Sequence, residues 1–303
     1  MAETAEAGEL RRFLLESQPL RGQWVRLGAA WGELRACRRY PPRVESLLGE
    51  FATSAVLLAA TLKFEGTLTL QLAGSGRVRL LVAQCSDDFK LRAVAHHDLA
   101  DDELPAFDAL VGSGRLTVTV QSDTTSARYQ GIVPLAGASL AACLENYFAS
   151  SEQLPTRLLL AADAVQAAGL LLQKLPDQPG SGEVAGAQLQ QTWEELQAGL
   201  QGLSAETLLS GTAEHAVRQV VGAHDCRLFG PTAVQFACRC SEQRVADVLR
   251  SLGLKEARAT LAEQGVILVQ CEFCNREYRY DAVDVEQLFA ADASVQQGSD
   301  SVN

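Results

Sequence analysis

Two cysteine pairs near the C-terminus, Cys238-Arg239-Cys240 and Cys271-Glu272-Phe273-Cys274, constrain this chain more than any other feature. They lie in a segment too short to build a large apolar core, and small units of that kind are usually held by a metal or by crosslinks. Zinc takes four thiolates tetrahedrally at about 2.3 Å, and a CxxC knuckle turns two sulfurs toward one ion. Cys238, Cys240, Cys271 and Cys274 are therefore the expected ligands of one zinc ion. The CxC pair is the less usual half. A local turn at Arg239 is expected to bring both sulfurs inward. A thioredoxin-like dithiol would need its CxxC at a helix N-terminus in a βαβ setting. Here Val266 to Gln270 and Glu277 to Tyr280 read as strands on either side, which puts the CxxC at a hairpin tip.

Four sulfur ligands close the coordination shell and leave no position for a catalytic water, so zinc-dependent hydrolysis is excluded and no enzyme activity is expected. Thiolates are the species oxidants attack, and a tetrathiolate beside Arg239 and Arg276 holds four activated sulfurs. Oxidation to disulfides would remove all ligands together and turn a chemical signal into local unfolding. The alternative is a structural zinc ribbon for protein interaction or nucleic-acid binding. Residues 231–290 carry seven basic and nine acidic side chains, and zinc with four thiolates adds about two negative charges, a field that repels phosphate.

The rest of the chain gives that unit a setting. The 303 residues carry a net charge of −11, which disfavours nucleic acid and anionic membranes. The acidic start Met1-Ala2-Glu3 lacks the pattern of a signal peptide, and the apolar run Ser54 to Leu62 is far short of a bilayer span, so a cytoplasmic protein without a membrane segment is expected. Val44, Leu47, Leu48, Phe51, Val56 and Leu58 recur at helical spacing, after which Thr67 to Leu72 alternates with period two. Gly74-Ser75-Gly76 supplies a turn, Val78 to Ala83 a returning strand and Leu116 to Val120 another. Leu140, Cys143, Leu144, Tyr147 and Phe148 form a helical stripe that makes Cys143 a core residue. Leu175 to Gly182, with two prolines and two glycines, reads as an exposed connector. Beyond it Thr192 and Glu195 have capping-box spacing, and Trp193, Leu196, Leu200 and Leu203 continue as a helix. Val245, Val248, Leu249 and Leu252 form a further stripe stopped by Gly253, and a second short helix ends at Gly265.

The expected fold class is α+β: an N-terminal α/β core with a mixed or antiparallel sheet packed by helices (residues 1–177), a helical linker (178–230), a small zinc-binding domain (231–290) and a disordered tail (291–303). Cys37, Cys85, Cys143 and Cys226 read as small apolar or inert thiols, with Cys226, in the linker, the exception to watch. His96-His97-Asp98 reads as a solvated loop, since no second ligand cluster accompanies it.

These residues resemble the heat shock protein 33 family of redox-regulated holdase chaperones. Phe236-Ala-Cys238-Arg-Cys240-Ser241 and Cys271-Glu-Phe-Cys274-Asn275 are similar to its C-terminal signature. Ala59 to Gly66, Tyr129 to Leu135, Ser151 to Arg157 and Ala167 to Gln173 resemble its other recurrent stretches. The resemblance implies an ATP-independent chaperone that binds unfolded clients, and no GxxxxGK[ST] loop occurs in the chain. It further implies that oxidation forms Cys238–Cys240 and Cys271–Cys274 disulfides, releases zinc and unfolds a metastable linker, and that the activated protein is a homodimer. The stretches Val217 to Asp225 and Lys255-Glu256-Ala257-Arg258 depart from the family's pattern, which bears on the threshold of linker unfolding rather than on the zinc site.

Overall fold

The computed structural model describes residues 7–125, 128–176 and 183–297. They form a mixed α+β protein that divides into two compact units, Met1–Ala237 and Cys238–Asn303. In the first unit the order is β1 (Gly8–Leu15), β2 (Leu20–Arg26), α1 (Ala29–Cys37), α2 (Pro42–Thr61), β3 (Gly66–Gly74), β4 (Val78–Ser86), β5 (Lys90–His97), α3 (Phe107–Val111), β6 (Gly114–Ser122), β7 (Arg128–Pro134), α4 (Leu140–Tyr147), β8 (Thr156–Ala162) and β9 (Ala167–Lys174). Then come α5 (Glu183–Gly202), α6 (Ala205–Ser210), α7 (Ala213–Val221), β10 (Cys226–Leu228) and β11 (Thr232–Phe236). The second unit holds α8 (Glu242–Leu252), α9 (Leu254–Gln264), β12 (Ile267–Gln270), β13 (Glu277–Tyr280) and α10 (Ala282–Gln297).

One large sheet organises the first unit, in the order β7-β6-β3-β4-β5-β11-β1-β2-β9-β8, with β10 also paired to β1. Every pairing is antiparallel except β11 with β5. The period-two pattern of Thr67 to Leu72 appears as strict alternation in β3, where Leu68, Leu70 and Leu72 are fully buried. The long apolar helix α2 starts with Pro42 at its first turn and lies against these side chains and those of β4, β5, β8 and β9. By length and composition α2 could cross a membrane, and it is longer than the Ser54 to Leu62 run suggests. It is instead a core helix, with 78% of its most apolar window buried. Cys85 and Cys143 sit in this core, as expected of small apolar side chains.

A second core lies on the other face of the sheet. Phe13, Leu15, Leu20, Trp24, Leu170 and Leu172 from β1, β2 and β9 meet Leu189, Trp193, Leu196, Leu200, Leu208, Val217 and Val220 from the helical layer α5–α7. The alternation of β2 separates the two cores: Val25 joins the α2 side and Trp24 the other. Ser204 and Thr212 cap α6 and α7 by accepting the backbone N–H groups of Thr207 and His215. Thr192 does not cap α5, as its spacing with Glu195 suggested. The helix already runs from Glu183, Thr192 is buried inside it, and Glu195 accepts hydrogen bonds from Gln191 and contacts His224.

Four further expectations meet a different structure. Residues 232–236 belong to the large sheet as β11, so the compact second unit starts at Cys238 rather than at Pro231. His96 and His97 end strand β5, with His97 tilted against Tyr40, and Asp98 pairs with Arg77 and Arg79. In α8 the buried residues are Val245, Ala246 and Leu249, whereas Val248 and Leu252 are 55% and 59% exposed. The chain after residue 290 continues α10 to Gln297. The connector's residues 177–182 lie outside the described residues.

Within the helical layer, α5 packs tightly on α7 at Gly199, where an added Cβ would fall on the carbonyl oxygen of Val220. Gly199→Ala is therefore expected to push the two helices apart and destabilise the layer by about 1–3 kcal/mol. Urea titration followed by tryptophan fluorescence checks this; a midpoint equal to that of the unchanged protein would contradict the packing described.

Candidate metal centre

The four-cysteine site is built entirely from the second unit. Immediately after β11 the strand pairing ends, and Cys238 and Cys240 lie in a segment outside any helix or strand. Ser241 then opens α8, its hydroxyl accepting the Arg244 N–H at 3.3 Å. Arg244 reaches back and donates from Nη1 to the Arg239 carbonyl at 2.7 Å, fixing the residue between the two cysteines. That bond holds the segment between the two cysteines against the start of α8.

Cys271 and Cys274 occupy the tip of the β12–β13 hairpin, directly beyond the Gln270–Glu277 pair. The Cys271 N–H donates to the Arg276 carbonyl and the Asn275 N–H to the Cys271 carbonyl, both at 2.9 Å. Asn275 takes the left-handed conformation, φ 61°, that closes this tight turn and that asparagine tolerates better than most residues. All four thiols are half-buried.

The ligand atoms converge within 4.8 Å of one another, and no other group of three or more His, Cys, Asp or Glu side chains among the described residues does so. Cys238 Sγ lies 3.6 Å from Cys271 Sγ, and Cys240 Sγ 3.3 Å from Cys274 Sγ. A tetrahedron with Zn–S bonds of about 2.3 Å has sulfur–sulfur edges of about 3.8 Å, so the donor set and its dimensions fit one tetrathiolate ion. Burial pushes the Cys238 and Cys274 thiols up from their ordinary range. At Cys240 burial acts the same way but is outweighed by interactions with the Tyr278 hydroxyl and the other three thiols, which bring it down to about 7. One sulfur of the set is thus poised to be a thiolate near neutral pH, the form that binds metal.

The apolar support is slight. Leu249, Ala257, Ile267 and Val285 are its buried core, with Leu254, Leu261, Val269, Tyr280, Leu288 and Phe289 partly buried around them. Burying a large aliphatic side chain stabilises by about 1.5–3 kcal/mol, while ordering each backbone residue costs about 1–2 kcal/mol, so this cluster cannot hold the unit together alone. A bound metal supplies the deficit in modules of this kind.

Of the other cysteines, burial drives the Cys85 thiol far up and raises Cys143 and Cys226, which makes them poor nucleophiles. Cys226 is half-buried in β10 opposite Leu15, and Cys37 ends α1 with its thiol on the Glu33 carbonyl. Sequence reasoning missed Tyr278 and Arg244. Neither lies in the cysteine motif: folding brings Arg244 to the Arg239 carbonyl and turns Tyr278 into the interior of the unit.

A family model described as Hsp33 protein matches residues 8–281. The 33 kDa chaperonin of Nitrosococcus oceani is 41% identical over 280 residues, covering 92% of this chain and 93% of its own. That of Pseudomonas paraeruginosa is 42% identical over 293 residues, covering 96% and 97%. The crystal structure of the 33 kDa chaperonin from Thermotoga maritima aligns with a TM-score of 0.80 at 21% identity, over 94% of this chain and 99% of that one, a likeness of fold.

The reduced protein is expected to carry one zinc per chain, with X-ray absorption giving four sulfur neighbours at about 2.3 Å. A nitrogen or oxygen in the first coordination sphere would contradict the ligand set.

Proposed function

The chain belongs to the Hsp33 family, and on that premise we propose that it is an ATP-independent holdase of the bacterial cytoplasm, held inactive by zinc and switched on by oxidation. Chaperone function is what its relatives' names support. The single observation that carries the redox reading is the convergence of four sulfurs in a unit with almost no core of its own.

When bound, the ion supplies a positive centre that holds four thiolates together and adds folding free energy on the order of 10–16 kcal/mol to such a module. Conversion of the four thiolates to two disulfides is a pair of two-electron oxidations. With hydrogen peroxide each consumes one peroxide and yields two hydroxide ions, and the freed zinc carries away its two charges.

Which sulfurs pair decides the outcome. In the reduced arrangement the shortest approaches run between segments, Cys238 to Cys271 and Cys240 to Cys274. Disulfides across those contacts would staple the CxC segment to the hairpin. The Cys238–Cys240 and Cys271–Cys274 pairing joins only near neighbours, leaves the two segments untied and removes every link the metal had made. On this reading oxidation therefore loosens the second unit. The helical layer α5–α7, which forms the metastable linker, then parts from the sheet, and the apolar side chains of both become available to unfolding clients. Pairing of two activated chains into a homodimer and the absence of nucleic-acid or membrane partners belong to the same proposal.

Light scattering from a thermally unfolding enzyme tests it. The reduced, zinc-loaded protein is expected to suppress aggregation poorly, and peroxide with mild heat to release zinc and switch suppression on. Cys271→Ser should bind zinc more weakly and suppress aggregation without oxidant. Equal suppression by the reduced and oxidised forms would overturn the switch.

A further inference from the structure

Where α2 ends, a cavity of about 440 Å³ lies between Arg12 of β1, the segment Leu62 to Glu65 that leaves the helix, and Asp87 and Phe89 from the turn before β5. That volume is within the range of about 300–1,000 Å³ in which proteins hold small ligands. Arg12 stands two residues from Leu10, which belongs to the α2 core, so strand alternation puts its side chain on the same face of the sheet. Across the β1–β2 pairing it opposes Gln23, and Arg21 is the next residue of β2 on that side.

The two arginines are used differently. Arg21 donates from Nε and Nη2 to Gln173 Oε1, at 3.0 and 2.6 Å, and from Nη2 to the Thr61 carbonyl at 3.2 Å. The negative end of α2 therefore already has its cation. Arg12 and Lys63 are surplus to it, and among the described residues neither forms an ion pair or a side-chain hydrogen bond. The Arg12 guanidinium instead lies 5.3 Å from the centre of the Phe89 ring, a contact that restrains it and uses none of its five N–H donors. Phe89 takes a left-handed backbone, φ 58°, uncommon for a bulky residue. It is held there by its N–H donating to the Ser86 carbonyl at 3.0 Å and its carbonyl accepting the Gln235 N–H at 3.2 Å. A half-buried guanidinium is thus fixed in place with its donors unspent.

The lining narrows what those donors would take. Leu62, Phe64 and Phe89 give the cavity apolar walls, which suit a group that is only locally charged. Glu65 and Asp87 also line it, and the chain carries a net charge of −11, so a multiply charged anion such as phosphate is repelled more than a single carboxylate. A planar carboxylate also matches the paired N–H groups along one edge of a guanidinium.

We propose that this cavity binds a carboxylate carried on an apolar group, such as the C-terminal residue of a peptide ending in phenylalanine, with Arg12 taking both carboxylate oxygens and Lys63 supplying a second positive charge. The site lies wholly in the first unit and rests on neither the metal-binding nor the holdase reading.

NMR titration of the full chain tests this. The probes are N-acetylphenylalanine, a short peptide ending in phenylalanine with a free carboxylate, the same peptide as its C-terminal amide, and inorganic phosphate. The Arg12 Nε–H resonance and the backbone amides of residues 62–65 and 87–89 are expected to shift with the two free acids. The amide and phosphate should need at least about 10-fold higher concentration for the same shift. Arg12→Gln should weaken binding of N-acetylphenylalanine by about 10-fold or more, and Arg12→Lys, which keeps the charge but not the fork, by less. Should Arg12→Gln fail to fold, Lys63→Gln, at an exposed position, decides: several-fold weaker binding supports the site and unchanged binding overturns it. Tighter binding of the peptide than of N-acetylphenylalanine assigns the group to a chain terminus, equal binding assigns it to a free acid, and both support the site. Equal binding of the amide or of phosphate, shifts confined to other residues, or unchanged affinity in Arg12→Gln would overturn it.

Discussion

Four cysteine sulfurs within 4.8 Å of one another are stable as thiolates only if a cation lies among them, because like charges so close together repel strongly at any plausible protein dielectric. The second unit depends on this constraint. Its largest buried apolar cluster has only four residues for three helices and a hairpin, so a bound ion would take the place that a larger core would fill. The hydrogen bonds around the sulfurs, from Arg244 to Arg239 and from the Cys271 and Asn275 amides, shape the cluster but would contribute little to stability compared with a bound metal. With a metal bound, its largest stabilising term would be a set of oxidisable bonds, which is what the proposed redox control of its folding requires.

The first unit complements it by having an apolar face to hide. The sheet is covered on one side by α2, which is enclosed by many strands, and on the other by α5–α7, which follow one another in sequence. Removing α2 would dismantle the fold. Removing α5–α7 would leave the sheet paired and expose Phe13, Leu15, Leu20, Trp24, Leu170 and Leu172. Two of the recurrent stretches meet elsewhere in this unit. The Tyr129 and Tyr147 hydroxyls both donate to Glu152 Oε1, at 3.0 and 2.9 Å, tying the edge strand β7 to the turn that leads into β8. That contact gives a structural reason for residues that cysteine chemistry leaves unexplained.

Local features were legible in the sequence and long-range ones were not. The CxxC knuckle, the helix stop at Gly265 and the alternation of β3 follow from residues adjacent in sequence, and they stand where expected. The role of Thr232 to Phe236 could not be read that way. These residues precede the first cysteine and look like the start of its unit, but their partners are β1 and β5, far away in the chain. Thr192 and Glu195 reproduced a capping spacing inside a longer helix, because a four-residue motif carries no information about where the helix began. Val248 and Leu252 satisfied helical periodicity, yet the small unit has too little interior to cover them. The four clustered cysteines could be picked out by spacing; the crosswise approach of their sulfurs arises only when the hairpin and the segment before α8 have folded.

The central claim is that the metal governs the helical layer as well as its own unit, and hydrogen–deuterium exchange measured alongside zinc release tests it most directly. After peroxide treatment, amides of residues 242–280 and of α5–α7 should lose protection in step with the appearance of free zinc, while β3, β4 and β6 retain theirs. Zinc release that leaves α5–α7 as protected as in the reduced protein would contradict the account.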